Sequence, residues 1–420
     1  MGSYYNQTMS SFSVSIDQTQ LTGKTLEFHL SGSDEYGLDK SIVNSLRRTL
    51  LSEIPCVAFR VSEESEKDIV ITLNNTSLHN EYLMHRLAMI PIILDPETYE
   101  NQYLFYLNVK HDQSHPFRFV TTDDIQIFPL KKDVEPSSPI SLDDYDMKKP
   151  VSKQIHNEIF PPFEFRGKSY PILLTELKST NVKDQYQELC LYGVPSVGDA
   201  REHACWKGVS DATYTFLPDT EMFEKIANQK AGQQNILDDE KRIQFIESLR
   251  LSESERYFYR DIYNEPHRYT FRITPVHIKT AKELFLASTE ILITKLETIK
   301  QHCINVTKGG DTTITIKPHT NEFTYCITMY GQNDTIGNVL QSHIVNKHID
   351  DTSLVSFCGY KKSHPLEEHI LLYLGLNPTV IGSDTSEEMK INQMIKFLDE
   401  ITEELMGMYR MIGIEATKML

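Results

Sequence analysis

The sequence is short of positive charge. Its 42 lysines and arginines stand against 59 acidic residues, which gives a formal net charge of −17 over 420 residues. Nucleic-acid affinity depends largely on Lys and Arg side chains that neutralise phosphates, so this balance argues against a broad phosphate-binding surface. We therefore expect no direct sequence-specific binding to nucleic acid.

Paired cysteines and long apolar runs are also missing. The six cysteines are scattered without a CxxC pair, which predicts reduced thiols and disfavours disulfides, zinc sites and iron–sulfur clusters. No uninterrupted apolar run reaches about eighteen residues, and the first residues lack a basic, apolar leader, so we expect neither a membrane span nor a signal peptide. Nor does any glycine-rich segment have the spacing of a nucleotide-binding loop.

What the sequence does contain is a repeat. The segment "SIVNSLRRTLL" (Ser41 to Leu51) aligns with "TIGNVLQSHIV" (Thr335 to Val345). Each copy follows two segments in which apolar and polar residues alternate, "FSVSI" and "TLEFHL" in the first case, "TTITI" and "EFTYCITM" in the second. Alternation predicts half-buried strands, and apolar residues at three- and four-residue steps predict an amphipathic helix. Each copy is therefore predicted to be strand, strand, helix.

A helix repeated in one chain is expected where a symmetric dimer interface has been fused, because a symmetric pair uses its interface element once per subunit. The predicted internal interface consists of the apolar faces of the two helices: Ile42, Val43, Leu46, Leu50, Leu51, Ile336, Val339, Leu340 and Ile344. Chance similarity between two amphipathic helices is the alternative. A short apolar segment follows each helix, "CVAFRV" (Cys56 to Val61) and "LVSFCGY" (Leu354 to Tyr360), and a long helix pattern closes each half.

These patterns predict an α+β fold with two repeated units and a mixed, mainly β insertion in the first. The first unit is expected to span 1–61 and 266–302, the inserted domain 62–265, a linker 303–311 and the second unit 312–420.

Two motifs carry a family resemblance in the first half. The segments "LDKSIVNSLRRTLLSEIPCVA" and "LHNEYLMHRLAMIPI", together with "GDAREHACW", resemble the alpha-like subunit of multisubunit RNA polymerases, the third-largest one in eukaryotes and its archaeal D counterpart. In the second half, "DTIGNVL" and "FCGYKKSHPLEEHI" are similar to the smaller alpha-like partner, the eleventh one in eukaryotes or its archaeal L counterpart.

One chain carrying both partners resembles the fused alpha-like protein of polymerases from large nucleocytoplasmic DNA viruses. The resemblance implies a non-catalytic platform that folds as an internal pseudo-heterodimer, not a homodimer, and nucleates association of the two largest polymerase subunits. Small zinc-binding subunits, like the tenth and twelfth eukaryotic ones, are further expected partners if present. Location in the cytoplasm, in a virus factory or virion, follows from the viral analogy, with the nucleus left open.

The resemblance also assigns charged residues to docking. Large-subunit contacts are expected at Arg47, Arg48, Glu81, His85 and Arg86, although charges of this kind also occur on solvated faces. Many third-largest subunits carry a cysteine-rich metal site in the inserted domain, but no cysteine lies between Cys56 and Cys190. We therefore predict no metal. The resemblance implies no cofactor and no catalytic residue in this chain.

Two rival functions stay open. The "HPLEEH" segment, His364 to His369, resembles an H-x-x-E-H zinc signature and is the basis of a metallohydrolase hypothesis. Its second histidine comes one residue late, about 140° away from the first around a helix, and Pro365 fits the first turn of a helix better. The other rival is a regulatory scaffold that retains the alpha-like fold. Trp206, the single tryptophan, is predicted to be a core or an interface anchor.

Overall fold

The computed structural model is an α+β fold with several antiparallel sheets, as predicted. It describes residues 12–61, 68–99, 101–132, 134–137, 140–180, 185–234, 236, 238–276, 279–308, 313–319, 323–382 and 385–419. The chain forms two compact units. Unit 1 comprises Met1–Leu50, Asp211–Thr274 and Ala281–Leu420, and unit 2 comprises Leu51–Ser210 and Pro275–Thr280.

The elements are numbered in chain order. The strands are β1 (Val14–Thr22), β2 (Thr25–Gly32), β3 (Cys56–Ala58), β4 (Ile69–Asn74), β5 (Tyr103–Lys110), β6 (Phe117–Thr121), β7 (Gln126–Pro129), β8 (Phe163–Phe165), β9 (Lys168–Tyr170), β10 (Leu173–Lys178), β11 (Glu188–Gly193), β12 (Ser196–Gly198), β13 (Val209–Phe216), β14 (Arg268–Pro275), β15 (Ile314–Pro318), β16 (Thr324–Tyr330), β17 (Val355–Lys361) and β18 (His369–Leu376). The α-helices are α1 (Lys40–Ser52), α2 (Asn80–Ala88), α3 (Lys153–Ile159), α4 (Thr220–Gln233), α5 (Asp239–Glu253), α6 (Ala281–Lys308), α7 (Asp334–Lys347), α8 (Pro378–Ile381) and α9 (Glu387–Met419).

Unit 1 contains two four-stranded sheets in equivalent orders. The first is β1-β2-β14-β13 and the second is β15-β16-β18-β17. In each sheet the first two strands form a hairpin at one edge, and the amphipathic helix follows them in the sequence. The next two strands of unit 1 fill the other edge, with the later strand beside the hairpin. The predicted strand, strand, helix repeat is therefore present. We call residues 12–50, 211–274 and 281–308 the first half of unit 1, and residues 313–419 the second half.

The first sheet is covered by the long helix that follows it. Alternate residues of β2 are buried, including Phe28, whose ring stacks on Phe271 of β14 at 5.6 Å between centroids. Phe285 of α6 meets Phe28 edge-on at 5.2 Å. The aromatic layer explains the period-2 pattern of the strand, because only one face of the sheet is packed against a helix.

The structure corrects the strand that was paired with β17. The prediction compared "CVAFRV" with "LVSFCGY", but Cys56–Ala58 forms β3, which pairs with β12 in unit 2. By position in the sheet, β17 corresponds to β13 instead. Residues Asp211–Thr274 thus belong to unit 1 and not to the inserted domain predicted over 62–265. The reason is non-local. Strand β13 pairs with β14, but strands β3 to β12 separate it in the sequence from helix α1.

The predicted linker over 303–311 is also shorter than expected. Helix α6 continues to Lys308, so the first residues of that segment are helical. Residues 309–311 lie outside the described residues. Apolar Ile299 and Cys303 are both buried, which extends the inward face of the helix past the predicted boundary at 302.

A glycine in α7 is required by close packing. A Cβ atom on Gly337 would lie 2.7 Å from Cδ2 of Tyr360 in β17 and 3.1 Å from Ile370. Helix α7 therefore rests directly on its sheet at this residue. The N-cap of α7 is Asn333, whose side chain accepts from the Thr335 amide, whereas Asp334 is the first helical residue.

Unit 2 is mainly β. Its four-stranded sheet has the order β4-β11-β5-β7, and the pairs β10-β6, β12-β3 and β8-β9 complete its strands. Helices α2 and α3 contribute Leu83, Leu87 and Ile159 to the apolar core, which also contains Phe105 and Leu189. Unit 2 therefore has an apolar core of its own.

Trp206 is a core residue of unit 2. Its side chain is buried, and its Nε1 donates to the Ser196 carbonyl oxygen at 3.1 Å. A Cβ on Gly198 would lie 2.6 Å from the indole ring, and the Arg60 guanidinium lies 5.2 Å from the ring centroid. The alternative left open by the sequence is therefore decided in favour of the core.

The cysteines and the helices agree with two further expectations. All six cysteines are free thiols, as the scattered spacing predicts. Among the helices of the described residues, none combines the length and apolar character needed to cross a membrane.

Candidate assembly interface

The repeated helices present buried apolar faces. The predicted interface residues in unit 1 are each at most 1% exposed: Ile42, Val43, Leu46, Leu50, Ile336, Val339, Leu340 and Ile344. The ninth predicted residue, Leu51, is only half-buried and falls in unit 2. The helical period thus places eight of the nine in the interior and misplaces the one at the end of α1.

Polar contacts show that α1 and α7 run antiparallel. Arg48 near the end of α1 donates from Nε to Thr335 Oγ1 at the start of α7, at 2.8 Å. Asp39, just before α1, accepts from Ser342 Oγ at 2.7 Å and from Asn346 Nδ2 at 2.8 Å near the end of α7. A twofold axis perpendicular to two equivalent helices makes them antiparallel. Each contact of residue i with residue j then recurs between their equivalents.

The two long helices are antiparallel as well. Lys300 of α6 lies 2.8 Å from Glu403 and 3.5 Å from Asp399 of α9. At the other end, Lys282 Nζ donates to the Thr417 carbonyl oxygen at 3.0 Å. These groups are partly exposed, so each ion pair contributes little to stability, about 1 kcal/mol or less. Their value is geometric, since they fix which ends of the helices meet.

A buried hydrogen bond joins the halves near the middle of α1. Ser45 Oγ and Tyr409 OH of α9 are 2.6 Å apart, and Tyr409 is fully buried. Ser45 Oγ also donates to the Ile42 carbonyl oxygen. A serine hydroxyl has one proton, so Tyr409 is the donor to Ser45. Burial raises the pKa of Tyr409, which keeps the donor protonated.

We expect Tyr409→Phe to lower the free energy of unfolding of unit 1 by about 1 kcal/mol, because a buried hydrogen bond is lost while the ring still fills its space. Urea unfolding followed by circular dichroism measures the change. Tyr330→Phe, at an exposed tyrosine of the same half, is the matched control and should be neutral. In a double-mutant cycle with Ser45→Ala, a coupling energy near zero would contradict the assignment.

Lys347 ties the end of α7 to the first half. Its Nζ donates to the Tyr36 carbonyl oxygen at 2.6 Å and lies 4.1 Å and 4.8 Å from the ring centroids of Tyr36 and Tyr263. Burial lowers the pKa of Lys347, an effect opposed by the charges of Asp261 and Asp39. An ammonium between two aromatic faces gains cation–π energy, so this contact strengthens the interface.

The predicted docking residues divide into two groups. Arg86 of α2 donates to the carbonyl oxygens of Leu174 and Leu173 at 2.6 Å and 2.9 Å. Arg48 binds Thr335 as above, and Arg47 donates from Nε to Asn44 at 3.0 Å. All three guanidinium groups thus have structural partners within their own unit.

Glu81 and His85 of α2 are exposed instead. Tyr82 and Met89 lie beside them, with 57% of each residue's surface exposed. Tyr82, His85 and Met89 lie on one side of α2, because they are spaced three and four residues apart. Met89 is the residue that follows the end of the helix. We call Glu81, Tyr82, His85 and Met89 the α2 face. Sequence patterning identified its charged members but missed the apolar ones.

The "HPLEEH" segment is not a helical metal motif. It forms a turn between β17 and β18, and His369 is the first residue of β18, so the expectation that Pro365 opens a helix is wrong. His364 Nδ1 accepts from the Leu366 amide at 3.2 Å, and His369 lies 3.6 Å from Glu367. Within the described residues, the side chains that bring three metal-ligand atoms together lie elsewhere.

Comparison with protein families connects this architecture to a known group. Residues 34–296, more than half of the chain, match the model of the RNA polymerase Rpb3/Rpb11 dimerisation domain. The chain belongs to this family. The matched range includes α1 and most of α6, which form the first half's share of the interface.

Curated relatives are polymerase subunits. The chain is 33% identical over 205 residues to the Dictyostelium discoideum "DNA-directed RNA polymerases I and III subunit rpac1", covering 47% of this chain and 52% of the relative. It is 28% identical over 232 residues to mouse RPAC1 (51% and 58%). It is 25% identical over 224 residues to the Arabidopsis thaliana "DNA-directed RNA polymerases II, IV and V subunit 3" (50% and 58%). The chain thus spans about half the length of these relatives.

Proposed function

We propose that the chain is a non-catalytic assembly platform of a DNA-directed RNA polymerase that contains both partners of the dimerisation pair. The observation that carries the proposal is the internal repeat: two sheets of equivalent order, with α1 antiparallel to α7 and α6 antiparallel to α9. The family match and the relatives' names support the polymerase context. On this view the second half replaces a separate smaller partner.

Fusion has a physical consequence. It makes pairing of the halves intramolecular, fixes their ratio at one to one and raises the effective concentration of each for the other. The interface is then already occupied, so the purified chain should be a monomer. Light scattering at increasing concentration measures this. A stable homodimer would mean that the interface is open to a second copy.

The proposed partners are the two largest polymerase subunits, which would carry out RNA synthesis, with small zinc-binding subunits as further partners. We place a large-subunit contact at the α2 face, because exposed Tyr82 and Met89 next to His85 and Glu81 combine apolar anchors with charge. The docking predicted for Arg47, Arg48 and Arg86 stays a prediction; each of these guanidinium groups also has a hydrogen-bond partner in its own unit.

The deciding experiment is native purification of the tagged chain from cells that make it. We expect two chains of large-subunit size in stoichiometric amount, with RNA synthesis in the same fraction. Tyr82→Ala combined with Met89→Ala should reduce recovery of a large subunit at least tenfold while the chain stays folded. The matched control, Ile243→Ala with Leu251→Ala, removes two exposed apolar side chains of α5 and should have no effect.

One result would count against the platform role, and another against the α2 face as the docking site. A chain that purifies alone, or with unrelated proteins, would favour the regulatory scaffold. Full recovery of both large subunits by the Tyr82/Met89 variant would leave the platform role intact and move the contact away from the α2 face.

The viral origin and the cytoplasmic location implied by the resemblance remain predictions. Fluorescence microscopy of the tagged chain during infection or growth tests the location, with a nuclear signal as the contradicting result.

A further inference from the structure

Three side chains in the second half of unit 1 converge on one point. His343 Nε2 lies 3.0 Å and His348 Nε2 lies 2.8 Å from the same oxygen, Oε2 of Glu404. His343 is on α7, His348 directly follows that helix, and Glu404 is on α9. One ligand atom from each residue lies within 4.8 Å of those from the other two.

The cluster is buried. The side chains of His343 and Glu404 are 2% and 8% exposed, and that of His348 is 20% exposed. The ring of Phe397 closes one side, 5.8 Å from the His348 ring. A carboxylate withdrawn from water is costly unless its charge is compensated.

The hydrogen bonds from His343 and His348 supply this compensation in the structure, and a bound cation would supply it in their place. Asp39 accepts hydrogen bonds from Ser342, which precedes His343, and from Asn346, which lies three residues after it. The negative charge of Asp39 therefore lies near His343. The neighbouring cation, Lys347, directs its Nζ to the Tyr36 carbonyl oxygen instead. The surroundings of the cluster are therefore suited to a positive ion.

We propose that His343, His348 and Glu404 form a binding site for a divalent transition-metal ion of the zinc class. Two imidazole nitrogens and a carboxylate oxygen are ligands that zinc accepts, with a fourth position left for water on the partly exposed side of His348. The ion would join the end of α7 to α9 and so stabilise the second half. This inference is independent of the polymerase assignment.

Two of the three ligand-atom separations need only a small adjustment. Ligand atoms of a tetrahedral site with bonds of about 2.1 Å lie roughly 3.4 Å apart. The two nitrogen–oxygen separations would have to open by about 0.5 Å from their present hydrogen-bonding distances, a shift that side-chain torsions can supply. To bind the ion, each imidazole would present the lone pair of Nε2 and carry its proton on Nδ1.

The test uses the full-length chain after removal of metals with a chelator. Titration with Co²⁺ alone, followed by visible absorption, should show one equivalent bound with the intense bands of a four-coordinate site. His348→Gln, chosen because His348 is the least buried ligand, should weaken binding at least about 100-fold, beyond the effect of losing an outer-shell contact. His364→Gln removes an exposed histidine of the "HPLEEH" turn and should bind as the unaltered chain does.

Two outcomes would overturn the proposal: a folded, metal-free chain that binds no Co²⁺ at micromolar concentration, or equal binding by the unaltered chain and by His348→Gln. If His348→Gln fails to fold, thermal unfolding of the unaltered chain decides. A rise in Tm that saturates at one equivalent of Zn²⁺ and is reversed by chelator supports the site, and an unchanged Tm refutes it. Neither readout depends on association with polymerase subunits.

Discussion

Leu46→Asp combined with Leu340→Asp should prevent unit 1 from folding. Both leucines are fully buried on the equivalent helices α1 and α7. Each unpaired carboxylate in such a buried position costs several kcal/mol after relaxation. The cost of two is comparable to the free energy of unfolding of a whole domain, about 5–15 kcal/mol. Loss of helical circular dichroism and rapid proteolysis of α6 and α9 would report the failure.

The control places the same charges in the same halves. Leu21→Asp with Val345→Asp alters an exposed residue of β1 and an exposed residue of α7 and should leave unfolding within about 0.5 kcal/mol of the unaltered chain. Unit 2 supplies an internal reference, because Trp206 is the single tryptophan and its fluorescence reports on that unit. A Leu46/Leu340 variant that unfolds like the control would show that the repeated helices do not form the interior of unit 1.

Trp206→Ala should destabilise unit 2 by about 3–5 kcal/mol, the range for truncating a buried large aromatic side chain. The indole fills the space against Gly198, and its loss leaves a cavity and removes the hydrogen bond to the Ser196 carbonyl oxygen. Urea unfolding followed by far-ultraviolet circular dichroism measures the effect, since the variant has no tryptophan fluorescence.

Two comparison variants test whether burial of the indole ring causes the loss of stability. Trp206→Phe keeps part of the ring volume and should cost less than Trp206→Ala. Tyr170→Ala truncates an exposed aromatic of β9 in the same unit and should be close to neutral. A loss below about 1 kcal/mol for Trp206→Ala would contradict the packing described for unit 2.

The assembly interface could be predicted in part from local pattern. Helical periodicity in α1 and α7 identified the buried stripe because a helix repeats every 3.6 residues whatever its neighbours are. The polar contacts could not be found in this way. Tyr409 is separated from Ser45 by 364 residues and Lys347 from Tyr36 by 311, and no local pattern encodes pairs at that distance.

The candidate metal ligands show the same limit. His343 and His348 are five residues apart, a spacing that does not place two side chains on one face of a helix. His348 is the C-cap residue of α7, and its backbone torsions, φ −127° and ψ 12°, are no longer helical, so the helical spacing does not fix where its side chain lies. Glu404 comes from another helix and completes the group only after packing. The "HPLEEH" segment resembles a metal motif more closely than these three residues do, but it forms a turn in the structure.

The sequence by itself determined the α+β class, the repeated strand, strand, helix order, the apolar faces of α1 and α7 and the unpaired state of the cysteines. These features depend on residue type and short-range periodicity. Only the tertiary structure decided that β13 and not β3 completes the first sheet, that Trp206 is a core residue, that Arg48 and Arg86 have structural partners and that two histidines meet Glu404. Each of these depends on which distant segments pair, and that choice is made by the packing of the whole unit.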